Sequence, residues 1–388
     1  MADAYIVDAV RTAGGRRGGK LAGVHPVDLG AAVLDSIADR NDFDPAAIED
    51  VIMGCVMQGG EQAGDVGRNI VLASRLPNSI PSVSIDRQCG SSQQSMMFAA
   101  QGVMAGAYDV VVAAGVEVMS RVPMGSSIAE GKFGFPFGQT VQARYAADGG
   151  LVNQGISAEL IAEKWKISRE DMDRYGVRSQ SYAARATQEG RFQNEIIPTL
   201  DAEGKVMTTD EGIRESTLEK LATLKPAYRP IEDGGKVTAG NSSQITDGAT
   251  AVLIMSEERA KQLGLKPRAR FVNFALAAEN PRYMLTAPIP ATKKVLERAG
   301  LKMSDIDLVE INEAFASVVL AWEKELHPDM EKVNVNGGAI ALGHPLGCTG
   351  AKLTATLMHE MKRRQSRYGM VSMCIGGGMG AAGIFERM

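Results

Sequence analysis

Two cysteines and one histidine lie in turns rich in glycine and serine, where the backbone can approach a ligand closely. These turns are residues 89–92 (Cys-Gly-Ser-Ser), 343–347 (Gly-His-Pro-Leu-Gly) and 374–380 (Cys-Ile-Gly-Gly-Gly-Met-Gly). The chain has only four cysteines and four histidines, so three of these eight side chains lie in such turns. Two thiols and an imidazole suit carbon–carbon bond chemistry on thioesters. One thiol takes up an acyl group, the imidazole accepts its proton, and the second thiol exchanges a proton with the reacting carbon.

Cys89 lies between a predicted strand at residues 83–85 and a predicted helix at residues 93–104. Free amides and the positive end of the helix dipole favour the thiolate there, so the sequence predicts a lowered pKa for Cys89. The order strand, nucleophile, helix is similar to the nucleophile elbow of acyl-transfer enzymes. The alternative is that Cys89 is a small buried hydrophobic residue, as an isolated cysteine usually is. The glycine and serines that follow it favour the nucleophile.

The other two turns contain a predicted base and a predicted oxyanion site. His344 lies between Gly343 and Pro345, with Gly347 and Gly350 further on. In this glycine-rich turn its ring can reach a pocket, so we expect it to be catalytic. Cys374 ends an apolar run and is followed by three consecutive glycines at residues 376–378. These glycines commonly mark only a tight turn, but beside a thiol they also expose amides that could form an oxyanion hole. A zinc site is the rival interpretation of such a set, but no CxxC or HxxxH spacing occurs. Cys55 and Cys348 are predicted to be structural, and the remaining histidines are assigned no role.

Apolar strands alternate with helical patterns, which is typical of parallel sheets covered by helices. Both ends of the chain place a reactive turn before a helix and then a buried strand, which is a weak internal repeat. Residues 120–240 are richer in glycine and charge, and we predict that they form an insertion or lid. The other predicted strands are residues 51–56, 110–116, 249–255, 306–311, 370–374 and 381–385, the last two as a hairpin.

Several helix boundaries are predicted from capping residues. Asp28 is predicted to cap the first helix, and Ser168 with Asp171 forms a capping-box pattern that opens another. Pro290 is predicted to begin a helix that Gly300 ends. Residues 312–315 (Asn-Glu-Ala-Phe) are predicted to open a helix, and residues 351–362 to form the helix after the His344 turn.

The composition excludes some classes of function. A net charge of −4 and a pI of about 5.8 argue against nucleic acid or an anionic membrane as the main partner. The apolar runs are too short to cross a membrane, and the N-terminus begins with a strand-like pattern instead of a signal peptide. Four unevenly spaced cysteines predict reduced thiols, and the C-terminus has no peroxisomal signal. We therefore expect a cytoplasmic protein.

Together these turns resemble the thiolase family, along with residues 9–12 (Ala-Val-Arg-Thr) and 312–315. The resemblance spans essentially the whole chain. It implies an α/β protein with the duplicated thiolase fold, five layers α/β/α/β/α and an inserted loop domain. The implied domains are an N-terminal half (1–119, completed by 241–266), a CoA-binding loop or lid domain (120–240) and a C-terminal half (267–388). It also implies a homodimer or homotetramer.

The resemblance also implies roles for the residues in the turns. Cys89 matches the nucleophile, His344 the base that takes its proton, and Cys374 the acid/base that exchanges a proton with the leaving enolate. Asn312 matches the residue that holds a water, which with His344 stabilises the enolate. The amides of Cys89 and Gly376 stabilise the acyl tetrahedral intermediate. CoA is thus a substrate, and no permanently bound cofactor or metal is implied.

Residues 238–243 (Thr-Ala-Gly-Asn-Ser-Ser) resemble the loop that contacts pantetheine in this family. The residues that the resemblance aligns with CoA contacts are Arg214, Lys220, Leu224, Tyr228, Ala239, Ser243 and Phe315. For Arg214 and Lys220 the alternative is an ordinary solvated side chain. The expected ligands are therefore CoA and acyl-CoA thioesters, and a β-oxidation enzyme is an open possibility as a partner.

One departure from the family bears on the substrate. Short-chain biosynthetic thiolases have His-Met-Gly where this chain has Asn153, Gln154 and Gly155. We therefore predict a degradative enzyme that cleaves a 3-ketoacyl-CoA to acetyl-CoA and a shortened acyl-CoA. The alternatives are a biosynthetic acetoacetyl-CoA thiolase, a thiolase of bulky ring substrates, a 3-ketoacyl-ACP synthase, a CoA-binding scaffold without catalysis, and a redox switch between Cys89 and Cys374.

Overall fold

A computed structural model describes residues 3–388, and its strands follow the alternation that the sequence predicts. Apolar runs such as residues 110–118 are buried along their whole length, because helices cover both faces of the sheet. The strands are β1 (Ala4–Arg11), β2 (Gly15–Arg16), β3 (Asp50–Gly54), β4 (Ser82–Ile85), β5 (Val110–Val118), β6 (Thr199–Leu200), β7 (Val206–Met207), β8 (Thr246–Ser256), β9 (Ala269–Ala278), β10 (Leu308–Ile311), β11 (Tyr368–Ile375) and β12 (Met379–Arg387).

The helices lie between these strands and carry their apolar faces toward them. The helices are α1 (Pro26–Arg40), α2 (Val66–Ala73), α3 (Ser91–Met104), α4 (Gln139–Tyr145), α5 (Gln154–Lys164), α6 (Arg169–Gln188), α7 (Leu218–Ala222), α8 (Glu257–Gln262), α9 (Pro288–Ala299), α10 (Ala316–Leu326), α11 (Ala339–Leu342) and α12 (Thr349–Arg364).

The long strands form two half-sheets joined at one edge. The first half-sheet has the order β1-β8-β5-β3-β4, and the second has the order β9-β12-β11-β10. A short antiparallel contact between β1 and β9, through Tyr5 and Ile6, joins them. In both half-sheets the first three strands are antiparallel and the next pair is parallel. Where the first half has β4, the second has a single parallel bridge between Val309 and Val333.

Three hydrophobic cores hold five layers together, as predicted from the family resemblance. The first core packs α1 and α2 against the first half-sheet. The second lies between the half-sheets and contains α3 and α12, which contact each other. The third packs α9 and α10 against the second half-sheet and against α5 and α6. The central helices α3 and α12 therefore bring the turns before them to the middle of the molecule.

The two half-sheets repeat with a constant displacement along the chain. β3 ends at Gly54 and β10 at Ile311, while β5 ends at Val118 and β11 at Ile375. Both pairs of strand ends are therefore 257 residues apart. In both halves, partners across the parallel pair are 61 residues apart. The duplication that the sequence suggests only weakly is thus explicit in the strand register.

The helix boundaries correct some predictions. Asp28 does not cap the first helix, because α1 begins at Pro26 and the His25 side chain accepts from the amide of Val27. Helix α9 begins at Pro288, two residues before the predicted Pro290, and ends before Gly300 as predicted. The capping box of Ser168 and Asp171 at the start of α6 is confirmed, as is the hairpin of β11 and β12.

The segment between β5 and β8 contains α4 to α7 and the small sheet of β6 and β7. Residues 133–138 form an irregular loop, and its aromatic residues Phe133, Phe135 and Phe137 are exposed. Within residues 3–388, no helix is long and apolar enough to cross a membrane.

Candidate active site

Asn312 and Cys374 meet because they occupy the same edge of the second half-sheet. Asn312 directly follows β10, and Cys374 lies one residue before the end of the parallel neighbour β11. The carboxyl ends of parallel strands lie side by side, so the two side chains converge. Asn312 Nδ2 lies 3.5 Å from Cys374 Sγ, and both residues are fully buried. Asn312 Oδ1 has no hydrogen-bond partner among the described residues, which leaves an acceptor for a substrate or water.

His344 reaches the same point from the turn between α11 and α12. Its Nε2 lies 3.4 Å from Asn312 Nδ2. Its backbone amide donates to the hydroxyl of Thr246 at 3.2 Å. Gly343 before it has φ +80°, and a Cβ there would lie 2.1 Å from Thr246 Oγ1. Only glycine therefore fits at residue 343, which explains the residue type before the histidine.

Thr349 fixes the orientation and tautomer of the His344 ring. Its Oγ1 lies 2.5 Å from His344 Nδ1 and donates to the Pro345 carbonyl at 2.7 Å. Because the Thr349 hydroxyl proton is used in the bond to Pro345, the hydroxyl oxygen accepts a hydrogen bond from the N–H of Nδ1. Nε2 therefore carries no proton, and its lone pair is free. Burial and the charge of Lys352 lower the pKa of His344 to about 3. The resting imidazole is therefore a neutral base whose accepting nitrogen faces Asn312.

Cys89 lies at the entrance of α3, against the turn that contains Gly376. Gln88 before it has the left-handed φ of 46°, which turns the chain sharply between β4 and α3. A Cβ on Gly90 would lie 2.4 Å from Ile375 Cδ1, so glycine allows this close approach. The amide of Gly376 is near enough to the sulfur of Cys89 to favour its thiolate and lower its pKa. Cys89 and Cys374 are near enough that their charges interact.

The predicted direction of the Cys89 pKa was wrong for the resting site. Burial, followed by the nearby Cys374 charge, raises the pKa of Cys89 to about 12. Cys89 is 3% exposed and α3 begins two residues later, at Ser91. Burial thus outweighs the helix dipole. Burial likewise raises the pKa of Cys374 to about 11. Both thiols are protonated at neutral pH, and each needs a base during a reaction.

Most of the predicted CoA-contacting residues form one continuous surface beside the Asn312 turn. The amide of Ser243 donates to the Ala314 carbonyl at 2.9 Å, which joins loop 238–243 to the site. Tyr228 packs edge-on against Phe315, with ring centroids 6.1 Å apart. The other members extend outward: Leu224 packs against Gly240, and Arg214 Nη2 donates to the Ala239 carbonyl at 3.0 Å.

Lys220 lies apart from this surface. It is in the exposed helix α7, and its Nζ lies 3.1 Å from Glu215. The structure thus brings together six of the seven predicted CoA residues and leaves Lys220 at the outside. Within residues 3–388, no cluster of His, Cys, Asp and Glu could hold a metal ion, and all four cysteines are free and buried.

Comparison with known proteins identifies the family. Residues 4–258 match the model of the thiolase N-terminal domain, and residues 265–387 match that of the thiolase C-terminal domain. The chain belongs to the thiolase family. It is 51% identical over 391 residues to the steroid 3-ketoacyl-CoA thiolase FadA6 of Mycobacterium tuberculosis, covering 100% of this chain and 95% of that relative. It is 44% identical over 400 residues to the 3-ketoacyl-CoA thiolase of Bacillus subtilis, covering 100% of both.

Solved structures agree with this assignment. The crystal structure of the Bacillus anthracis acetyl-CoA acetyltransferase superimposes with a TM-score of 0.90 at 39% identity, covering 100% of this chain and 99% of that one. The predicted thiolase fold is thereby confirmed, and the chain is an acyltransferase that uses CoA thioesters.

Sequence reasoning missed the residues that hold this thiolase site in place. Glu313 accepts hydrogen bonds from Tyr175, Ser179, Asn334 and the amide of Ile340, and so joins the Asn312 turn to α11. It lies within a motif that the sequence did single out. Glu117 and Lys352 gave no such signal, because their partners are distant in the chain or are backbone atoms. Thr349 lies five residues after His344, and nothing in the local sequence marks it as the partner of the imidazole.

Proposed function

We propose that this thiolase cleaves 3-ketoacyl-CoA with CoA, releasing acetyl-CoA and a shortened acyl-CoA, mainly in the degradative direction. The observation that carries the proposal is one buried site in which Asn312 Nδ2 lies 3.4 Å from His344 Nε2 and 3.5 Å from Cys374 Sγ, with Cys89 near Cys374. A buried, water-poor site strengthens the electrostatic stabilisation of developing oxyanions. It also protects a thioester intermediate from hydrolysis.

The first half-reaction begins at Cys89. His344 Nε2 takes the thiol proton, and the Cys89 sulfur attacks the 3-keto carbon of the substrate. The amides of Cys89 and Gly376 donate hydrogen bonds to the resulting oxyanion. The bond between C2 and C3 then breaks, and its electron pair becomes the enolate of acetyl-CoA. Cys374 protonates this enolate, leaving a Cys374 thiolate and an acyl group on Cys89.

The second half-reaction transfers the acyl group to CoA. The Cys374 thiolate takes the proton of the CoA thiol, and the CoA sulfur attacks the acyl-Cys89 thioester. The same two amides stabilise the tetrahedral intermediate, and the Cys89 sulfur leaves and regains the proton held by His344. Asn312 has an unpaired buried oxygen and a donor to His344, so we assign it to the water that stabilises the enolate.

The surface formed by Arg214, Leu224, Tyr228, Ala239, Ser243 and Phe315 is the proposed path of the CoA moiety. Residues 120–240 supply most of this surface, which supports the proposal that they form a CoA-binding lid. In this proposal the N-terminal half comprises residues 1–119 and 241–266, and the C-terminal half comprises residues 267–388. Lys220 is proposed only as an outer phosphate contact. CoA would compete there with Glu215, which now pairs with it.

The substrate is proposed to be longer than acetoacetyl-CoA. Asn153, at the position where short-chain enzymes have histidine, accepts from the amide of Ile156 and caps α5. Gly155 leaves room for the Tyr228 ring, since a Cβ there would lie 2.1 Å from it. Gln154 stands where short-chain enzymes have the methionine that helps to bound their pocket, and this replacement supports a longer acyl group.

A bulky ring-derived 3-ketoacyl-CoA is the second candidate substrate. It is favoured by the 51% identity to a relative named for steroid substrates, against 44% to relatives named only 3-ketoacyl-CoA thiolase. The capping role of Asn153 serves either substrate.

The experiment compares CoA-dependent cleavage of acetoacetyl-CoA, a medium-chain 3-ketoacyl-CoA and a ring-bearing 3-ketoacyl-CoA. Cys89→Ala is the inactive variant, and Cys55→Ala is its control for loss of a buried thiol. Faster cleavage of either longer substrate, abolished only by Cys89→Ala, supports the proposal. Preference for acetoacetyl-CoA would instead support a biosynthetic thiolase, and turnover by Cys89→Ala would refute the site.

We also propose that the enzyme is a cytoplasmic homodimer or homotetramer. The free thiols support a reducing compartment. Phe133 and Phe135 are 84% and 74% exposed, and they offer apolar surface for subunit contact. Light scattering on the wild-type chain and on Phe133→Ser/Phe135→Ser would show a smaller assembly in the variant. A possible β-oxidation partner would be tested by co-purification of the wild-type chain.

A further inference from the structure

Lys352 is a buried lysine whose ammonium group lies against the turn that carries His344. The residue is 4% exposed. Its Nζ donates to the Leu342 carbonyl at 2.6 Å and to the Gly343 carbonyl at 2.9 Å. These carbonyls close α11 and immediately precede His344, and a cation is favourable at the C-terminal end of a helix. The ammonium group therefore fixes the backbone on one side of His344.

Neither the helix dipole nor the duplicated fold accounts for a lysine at this position. Lys352 is in the first turn of α12, where the helix dipole disfavours a positive charge. The equivalent residue of α3, 257 positions earlier, is Ser95. Its hydroxyl donates to the Ser91 carbonyl of its own helix at 3.2 Å. The repeat thus tolerates a small polar residue here, whereas a buried ammonium group is costly.

The charged groups around Lys352 leave its own charge without a close partner. Arg11 takes up the nearby carboxylates, with an Nε–Oε1 distance of 2.7 Å to Glu195 and an Nη1–Oδ1 distance of 2.7 Å to Asp210. Within residues 3–388, no carboxylate lies within 4.0 Å of Lys352 Nζ. The titratable and charged groups that interact with Lys352 are Arg11 of β1, Glu195, Asp210, Glu310 of β10, His344 and Cys348.

His344 is the neighbour on which this charge has a chemical consequence. Burial is the main cause of its lowered pKa, and the charge of Lys352 is the second. A positive charge near an imidazole opposes its protonation, so the ring stays able to accept a proton. Its accepting nitrogen, Nε2, is the one that faces Asn312.

We propose that Lys352 is a positioning residue for His344. Its ammonium group holds the backbone that carries the imidazole, and its charge adds to burial in opposing protonation of the resting ring. The inference rests on the function proposed above, in which neutral His344 accepts the proton of Cys89. Lys352 itself touches neither substrate nor reacting atoms.

The kinetic test compares Lys352→Met, which removes charge and donors at similar volume, with Lys352→Arg, which keeps the charge. Ser95→Ala at the equivalent position of α3 is the control. Lys352→Met is expected to lower kcat by about 10- to 100-fold through misplacement of His344, with little change in KM. Without the Lys352 charge the pKa of His344 rises, so the acid limb of the plot of kcat against pH moves to higher pH, by about 1 unit. Lys352→Arg should keep the acid limb of the wild type, and Ser95→Ala should keep kcat.

A spectroscopic test separates this inference from the proposed function, because it needs no turnover. The chain is labelled with 15N in its histidine rings, and His344→Ala assigns the resonances of His344. Burial lowers the pKa of Lys352 to about 8. The wild-type His344 resonances should therefore shift as pH rises through about 8, because Lys352 loses its charge there. This measurement on the wild type does not depend on whether the Lys352→Met variant folds. In a folded Lys352→Met chain, His344 should gain its proton at higher pH than in the wild type.

Two results would overturn the inference while leaving the thiolase proposal intact. One is a wild-type His344 resonance that does not respond near pH 8. The other is a Lys352→Met variant with lowered thermal stability but an unchanged acid limb, which would make Lys352 purely structural. Full activity in His344→Ala would instead refute the proposed function.

Discussion

The two halves of this thiolase have the same strands but use the strand ends differently. A displacement of 257 residues equates Cys55 after β3 with Asn312 after β10, and Glu117 in β5 with Cys374 in β11. In the second half these positions present a thiol and an amide to the centre of the molecule. In the first half the side chains at the equivalent positions are engaged with their surroundings: Glu117 bonds backbone amides, and the Cys55 sulfur lies against the side chains of Glu117 and Gln62.

Glu117 shows what the first half does with its strand end. Its buried carboxylate accepts from the amides of Val56 and Met57 and from Gln62 Nε2. It also accepts from the amide of Gly347 at 2.8 Å. Gly347 belongs to the turn that carries His344. The first half therefore uses its strand end to hold the His344 turn of the second half.

The comparison teaches that duplication of a fold need not duplicate its chemistry. In the proposed mechanism one copy provides the nucleophile from the turn before α3, and the other provides the base and the acid/base. The remaining strand end in the first copy became a structural anchor. In this account, reactivity at a strand end requires a side chain whose hydrogen-bonding capacity is left partly free, as Asn312 Oδ1 is.

The strongest test of this difference replaces the buried thiols at the active and inactive strand ends. Cys374→Ala removes the proposed acid/base and should lower kcat by about 10²–10⁴-fold. Cys55→Ala should leave kcat near that of the wild type and lower only stability, because Cys55 contacts Glu117 and Gln62 and no reacting group. Steady-state thiolysis and thermal unfolding check both. Equal losses of kcat would contradict the division of roles.

Asn312→Ala should have the next largest effect. It removes the donor to His344 and the proposed water site, and loss of one oxyanion donor lowers kcat by about 10²–10³-fold. Asn336→Ala is the matched control, since Asn336 is also buried but bonds Arg191 and Glu360 outside the site. The control should lose stability without a comparable loss of kcat. Similar kinetics in the two variants would show that Asn312 is only structural.

Thr349 and Ser92 occupy equivalent positions at the start of α12 and α3 and provide a third comparison. Thr349→Val removes the partner of His344 Nδ1 when the ring becomes charged, so kcat should fall by about 10- to 100-fold, with KM little changed. Ser92→Ala removes an acceptor of the Ala351 amide and should affect mainly stability. A Thr349→Val variant with wild-type kcat would show that another group sets the tautomer of His344.

The smallest catalytic effect is expected for Glu117→Gln. Glutamine replaces one accepting oxygen with an NH2 group, which cannot accept a hydrogen bond from the surrounding backbone amides. The free energy of unfolding should therefore fall by about 1–3 kcal/mol. Urea unfolding measures this loss. We expect kcat to fall less than in any of the preceding active-site variants, because only the Gly347 end of the His344 turn is affected. A loss of kcat like that of Cys374→Ala, at unchanged stability, would show that Glu117 acts in the reaction.

Sequence alone predicted the groups that meet in the site but not what surrounds them. Cys89, His344 and Cys374 were found because glycine-rich turns leave a local pattern, and the structure brings their turns together. The anchor between Glu117 and Gly347 was not found, because its partners are 230 residues apart in sequence. The pKa of Cys89 was predicted in the wrong direction because burial arises from packing by both halves. The N-cap at His25 was missed because Asp28 is the commoner capping residue.

The central claim is that Cys89 from the first half carries the acyl group and the second half moves the protons. Peptide mass spectrometry after mixing the chain with a medium-chain 3-ketoacyl-CoA, without added CoA, tests it most directly. We predict the substrate acyl group, shortened by two carbons, on the Cys89 peptide alone, and its absence in Cys89→Ala. An acyl group on Cys374 or Cys55, or steady turnover with no acylated Cys89, would contradict the account.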